Sequence, residues 1–116
     1  MFKKRKKKQE NYLDYIPKKS DRIDWKEKED GLIQIIIYRD SLFEKIVRKL
    51  FFTPDKYKLD LDEMGSFIWK HIDGKRNIYE IGQLVENEFK DEAEPLYERL
   101  AKFMNLLINN KFIEFK

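Results

Sequence analysis

The chain has 116 residues and a net charge of +3, with 41% apolar, 15% aromatic and 41% charged residues. A chain of this size forms one domain, its apolar share suffices for a compact core, and its exposed positions must be mostly ionic. The absence of cysteine excludes disulfides and thiolate metal sites and fits a reducing cytoplasm, no apolar run approaches a membrane span, and the mild charge does not by itself call for nucleic acid.

Lys3-Lys4-Arg5-Lys6-Lys7-Lys8 opens the chain. Like charges repel, so residues 1–19 are expected to form a basic, disordered tail and residues 20–116 the folded domain. Such a run is most often simply solvated, and its functional readings are RNA, anionic lipid or an acidic partner. Gln9-Glu10-Asn11 follows in place of the apolar stretch of a signal peptide. Tyr12, Leu13, Tyr15 and Ile16 make a small apolar cluster closed by Pro17, which either docks on the body or binds something else.

Ile23 and Trp25 alternate with Asp24 and predict a short first strand, and Glu29-Asp30-Gly31 reads as a hairpin turn. Leu32–Tyr38 is β-branched and apolar at almost every position, so it predicts a strand with both faces covered or one face against a partner. Ser41 is a helix N-cap with Glu44 at the reciprocal position, and Leu42, Phe43, Ile46, Val47, Leu50 and Phe51 recur at helical spacing. The spacing predicts an amphipathic helix over Ser41–Phe52. Its stripe reads first as core, with a membrane surface or a partner groove as the alternative.

A change of period follows. Tyr57, Leu59 and Leu61 alternate with Lys58, Asp60 and Asp62, which predicts a third strand over Lys56–Leu61. From Met64 the apolar residues fall at Met64, Phe67, Ile68 and Ile72, which predicts a helix over Asp62–Ile72, capped by an aspartate and ended at Asp73-Gly74. Asn77 caps a second helix over Ile78–Phe89, Lys90–Glu94 is an acidic connection, and Pro95 suits the first turn of a third helix ending at Asn109-Asn110. Lys111–Phe115 is expected to close the chain with a short strand. The order predicts an α+β fold: a three-stranded antiparallel sheet followed by three helices, like a winged helix-turn-helix, with an extra helix inserted between strands two and three.

Catalytic chemistry finds little support. His71 is the only histidine and reads as a helix-end residue, the four glycines are isolated, and the carboxylate pairs at Asp60, Asp62 and Glu63 are explained by capping. No enzyme activity, cofactor or metal is expected. As a helix-turn-helix, the third helix would have to enter the major groove, yet Asp91, Glu92, Glu94 and Glu98 crowd its start and would repel phosphate. A winged-helix nucleic-acid or transcription-related protein is therefore the alternative reading. A peptide guest fits better. An open strand edge at Lys56–Leu61 accepts an extended chain by strand addition, and the third helix supplies the other wall, with Arg99 and Lys102 available to acidic guest residues. A further reading is a purely structural interaction domain, dimeric through Ile33–Ile37 or through the inserted helix.

Leu61-Asp62-Glu63-Met64-Gly65-Ser66-Phe67-Ile68-Trp69, then Ile72-Asp73-Gly74-Lys75, then Asn77-Ile78-Tyr79-Glu80-Ile81, then Leu107–Ile113, taken together, resemble the PqqD family. The resemblance covers roughly Lys56 to Phe115. It implies a three-strand, three-helix winged fold and a non-catalytic chaperone that binds the leader of a ribosomally made precursor peptide and presents it to a modifying enzyme, commonly a radical SAM enzyme. It also implies that the leader lies along the third strand and against the third helix. The corresponding peptide-binding positions here are Lys56, Tyr57, Lys58, Leu59 and Asp60 on the strand and Arg99, Lys102, Phe103 and Leu106 on the helix. The inserted helix and the basic N-terminus depart from the family pattern, and a homodimer by strand exchange stays open.

Overall fold

The computed structural model describes residues 12–38 and 56–116. The basic run and the helix predicted over Ser41–Phe52 lie outside these residues. Two compact units divide the chain, one spanning Arg22–Ser66 and the other joining the residues up to Asp21 with Phe67–Lys116.

In the Arg22–Ser66 unit, β2 (Asp24–Glu27), β3 (Ile33–Tyr38) and β4 (Lys56–Asp60) form an antiparallel sheet in the order β2-β3-β4. The turn between β2 and β3 is tight because Gly31 takes φ +87° and the Leu32 N–H donates to Asp30 Oδ1 at 3.0 Å. Ile33 and Ile35, which share one face, are fully buried, whereas Ile36 on the other face is half-buried and sits beside Gln34, so the sheet is not apolar on both faces. β2 begins one residue after and ends two residues beyond the Ile23–Trp25 alternation that predicted it, and β4 starts where predicted. The sequence pattern overestimates β4 by one residue because Leu61, although its N–H still bonds Ile33, already leads into the helix cap.

The chain then enters α1 (Glu63–Lys70), capped as expected by Asp62, whose Oδ1 accepts the Gly65 N–H at 2.7 Å. α1 stops two residues before the predicted end. His71 and Ile72 donate to the carbonyls of Ile68 and Trp69, which tightens the last turn, and Gly74 lies beyond it in a separate turn. There Gly74 has φ +76°, its N–H donates to the Pro17 carbonyl at 3.1 Å, and a Cβ would stand 3.4 Å from Lys18 Cβ. So the glycine serves a close approach to Pro17 and Lys18 rather than a helix end.

The second unit also contains α2 (Ile78–Phe89), α3 (Leu96–Asn109) and a two-stranded sheet of β1 (Pro17–Lys19) with β5 (Ile113–Phe115). Asn77 and Glu80 each donate a backbone N–H to the other's side-chain oxygen in a complete capping box. The acidic connection folds as a 3-10 turn over Lys90–Ala93, and Pro95 precedes α3 instead of forming its first turn. Leu96, Leu100, Met104 and Leu107 of α3 are buried, as are Ile78, Ile81 and Val85 of α2 and Trp69 and Ile72. Tyr97 packs closely on Gly82, where an added Cβ would come within 2.7 Å of its ring.

Tyr12–Lys19, grouped with the tail in the sequence reading, form a 3-10 turn at Tyr12–Asp14 and strand β1. The apolar cluster docks: the Tyr12 and Tyr15 rings pack against each other and against Phe115, at centroid distances of 5.0 to 6.2 Å. Lys19 is drawn in with them. Its Nζ donates to the Ile72 carbonyl at 2.6 Å and stands over the Trp69 ring, and burial pulls its pKa below the usual lysine value against the attraction of Asp73.

Candidate functional site

The outer edge of β4 is set by the parity of the ladder. Asp60 is in register with Gln34, Lys58 with Ile36 and Lys56 with Tyr38. The Leu61 N–H donates to the Ile33 carbonyl at 2.9 Å, so Ile33 and Leu61 form a hydrogen-bonded pair. Such pairs recur every second residue in an antiparallel ladder, which turns the backbone of Leu59 and Tyr57 inward to β3. The N–H and C=O groups of Lys56, Lys58 and Asp60 therefore point outward. Among the described residues no strand pairs with that edge. The opposite edge obeys the same parity. Lys28 donates to Leu32 at 2.8 Å, so Trp25 and Glu27 turn their backbone groups outward from β2. β3 has a neighbour on each side, so its Ile33–Ile37 backbone offers no edge to a second copy.

The ladder ends on a side chain. The Ile33 N–H donates to Ser66 Oγ at 2.8 Å, and that hydroxyl reaches the Leu61 carbonyl at 3.4 Å. Ser66 thus takes the place of the second bond of the last pair and fastens α1 to the sheet within the Arg22–Ser66 unit. It is 2% exposed.

The two faces of the sheet differ in chemistry. Directly opposed residues share a face. Leu59 falls on the face with Ile33 and Ile35. Lys58 and Asp60 fall on the other, with Gln34, Ile36, Asp24 and Lys26. There Asp60 Oδ1 accepts Gln34 Nε2 at 2.8 Å and lies 3.3 Å from Lys28 Nζ. The hydrogen bonds from Gln34 and Lys28 hold the Asp60 carboxyl below the usual aspartate pKa.

Of the strand residues nominated from sequence, Lys58 and Asp60 are exposed and Leu59 is half-buried, and Lys56 and Tyr57 contribute through their backbone register. The helix residues belong to the other unit. Arg99, Lys102, Phe103 and Leu106 recur at three- and four-residue intervals and form one stripe of α3. Arg99, Lys102 and Leu106 are exposed and Phe103 is half-buried, while Arg99 Nη1 donates to the Glu92 carbonyl at 2.5 Å. Asp91, Glu92, Glu94 and Glu98 are all exposed around the start of α3, which keeps that end acidic. Ser66, Gln34 and Lys28 were not anticipated as parts of the edge. Their partners lie 26 to 33 residues away for Gln34 and Ser66, and no local pattern announces such a contact.

Among the described residues there is no group of three His, Cys, Asp or Glu side chains placed to hold a metal, and no helix long and apolar enough to cross a membrane. His71 stands at the end of α1, its Nδ1 2.7 Å from the Phe67 carbonyl.

Residues 52–113, more than half of the chain, match the family model described as coenzyme PQQ synthesis protein D, PqqD. The chain belongs to the PqqD family. The PqqD match takes in β4, α1, α2 and α3 and ends at Ile113, so every nominated contact residue lies within it and β2 and β3 lie before it. No curated protein and no solved structure matches the chain.

Proposed function

We propose that this PqqD-family chain is a non-catalytic chaperone for a ribosomally made precursor peptide. The leader of that peptide adds as a strand to the outer edge of β4, and the chain presents it to a modifying enzyme of the radical SAM class. The observation that carries the reading is the set of outward backbone groups at Lys56, Lys58 and Asp60, with no strand among the described residues to take them. Backbone hydrogen bonds to an open edge supply affinity with little regard to sequence, and side chains on the two faces supply selectivity. Arg99, Lys102, Phe103 and Leu106 are the contacts proposed on α3, the two cations suiting acidic residues of the leader. A winged helix-turn-helix arrangement of the whole belongs to the same proposal.

The test is calorimetry of the full chain with any short peptide encoded beside it, alone and with any modifying enzyme encoded there. Binding in the low-micromolar range is expected. Lys58→Pro, compared with Lys58→Ala to account for the lost ammonium group, sharpens the test, because proline removes a donor that points outward and none that bonds β3, and edge strands tolerate it there. Its binding should weaken by about tenfold or more, the equivalent of about 1.4 kcal/mol, while circular dichroism and the β3–β4 amide signals stay in place. Absence of heat with any neighbouring peptide, or undiminished binding by a folded Lys58→Pro chain, overturns the reading.

A further inference from the structure

The polar face of the β4 edge carries an imbalance of charge. Asp60 is already satisfied from its inner side by Gln34 and Lys28. Lys58, one register step along the same face, forms no ion pair or hydrogen bond among the described residues. Asp24 shares that face but lies beyond Ile36, two strand spacings or roughly 9–10 Å away, too far to pair with it. The other face of the same edge is apolar, with half-buried Leu59 beside buried Ile35.

We infer that Lys58 makes the β4 edge selective for an extended guest in which acidic and apolar residues alternate, the acidic ones falling on the Lys58 face. This rests on the strand-addition reading. A guest residue directly opposite Lys58 places its side chain on the same face, within reach of the ammonium group. The residues on either side of it turn to the Leu59 face, where burial favours an apolar side chain. A lysine opposite Lys58 meets a like charge and is disfavoured. Asp60 contributes little against an acidic guest, because its charge is matched by Lys28.

The experiment titrates the full chain with three ten-residue synthetic peptides in which valine alternates with glutamate, glutamine or lysine. The backbone amide signals of Lys58 and Asp60 are followed by NMR at low ionic strength. The glutamate peptide is expected to bind roughly fivefold tighter than the lysine peptide, with glutamine between them, and the spread should shrink as salt is added. Lys58→Glu should invert the order. Lys26→Glu, on the same face but at the opposite edge, makes the same change in net charge and should retain the preference for glutamate. Equal affinities, an order unchanged by Lys58→Glu, or inversion by Lys26→Glu each overturn the inference. If the β4 amides shift equally with all three peptides, the charge rule fails and strand addition stands. If they shift with none, strand addition fails and takes the charge rule with it.

Discussion

Ser66 does with one hydroxyl what a longer strand would do with its backbone. It accepts the buried Ile33 N–H and bridges toward the Leu61 carbonyl, closing the ladder where the chain has already turned into α1. Removing the hydroxyl leaves a buried donor without a partner, which costs about 1–3 kcal/mol. Ser66→Ala should therefore lower the unfolding free energy in urea by that amount, and a loss under about 0.5 kcal/mol would show that the ladder closes without it. Asp73 works in the same local way. Its Oδ1 accepts the N–H groups of Lys75 and Arg76 at 2.9 Å, and its Oδ2 pairs with the Arg76 guanidinium at 2.8 Å. Those backbone bonds, led by Arg76, hold its carboxyl below the usual aspartate value. A depressed folded pKa contributes stability that is present above the unfolded value near 3.9 and is lost as the pH falls through the folded one. Asp73→Asn keeps an acceptor for the backbone and cannot titrate, so its stability should fall less steeply than the parent's below about pH 4. An identical slope in acid titrations followed by thermal melting would remove Asp73 from the account. Asp62 and Asn77 were legible as caps because their partners lie three residues on. Ser66 was not, because its partner lies 33 residues back.

At the scale of the element, what a strand or helix needs locally could be read from the chain, and what it needs from a distant one could not. A β-branched apolar run placed β3, a period of two placed β4, and the apolar stripes placed α1, α2 and α3. β1 escaped notice because Pro17-Lys18-Lys19 has no strand pattern, and its pairing partner lies nearly the length of the chain away at Ile113–Phe115. The open edge was legible as an expectation, but its parity follows only from the register of β3 against β4, which no single segment encodes. The end of α3 shows a local rule only partly obeyed. Phe112 donates to Leu107 and Lys111 to Ile108, the two bonds of a Schellman cap, with Lys111 at φ +64° in the position that glycine favours. A lysine there carries a steric cost that exceeds the entropy glycine would add to the unfolded chain. Lys111→Gly should stabilise the protein by about 0.5–1 kcal/mol. The check is the denaturation midpoint, and a lower midpoint would show that the Lys111 side chain contributes more than its backbone costs.

For the molecule as a whole, the parity of the β4 ladder turns the proposed function into a pattern that can be measured along the chain. A leader bound at a hundred times its dissociation constant stabilises the folded state by about 2.7 kcal/mol, so every amide whose exchange requires global unfolding slows alike. That common shift identifies binding but not its site. The edge adds a second signal. In the free chain the N–H groups of Leu59 and Leu61 face β3, whereas those of Lys58 and Asp60 face outward and are exchangeable without unfolding. A guest strand covers the outward set and leaves the inward set as it was. A leader added as a strand should therefore slow exchange at Lys58 and Asp60, which the common shift alone does not touch, as well as at Tyr57, Leu59 and Leu61, which slow by the common shift. A leader held by the α3 stripe without strand addition would slow Tyr57, Leu59 and Leu61 by the common shift and leave Lys58 and Asp60 unchanged. An alternation at Trp25 and Glu27 in place of Lys58 and Asp60 would move the guest to the β2 edge. Hydrogen exchange read residue by residue by NMR, with and without the leader, separates these outcomes.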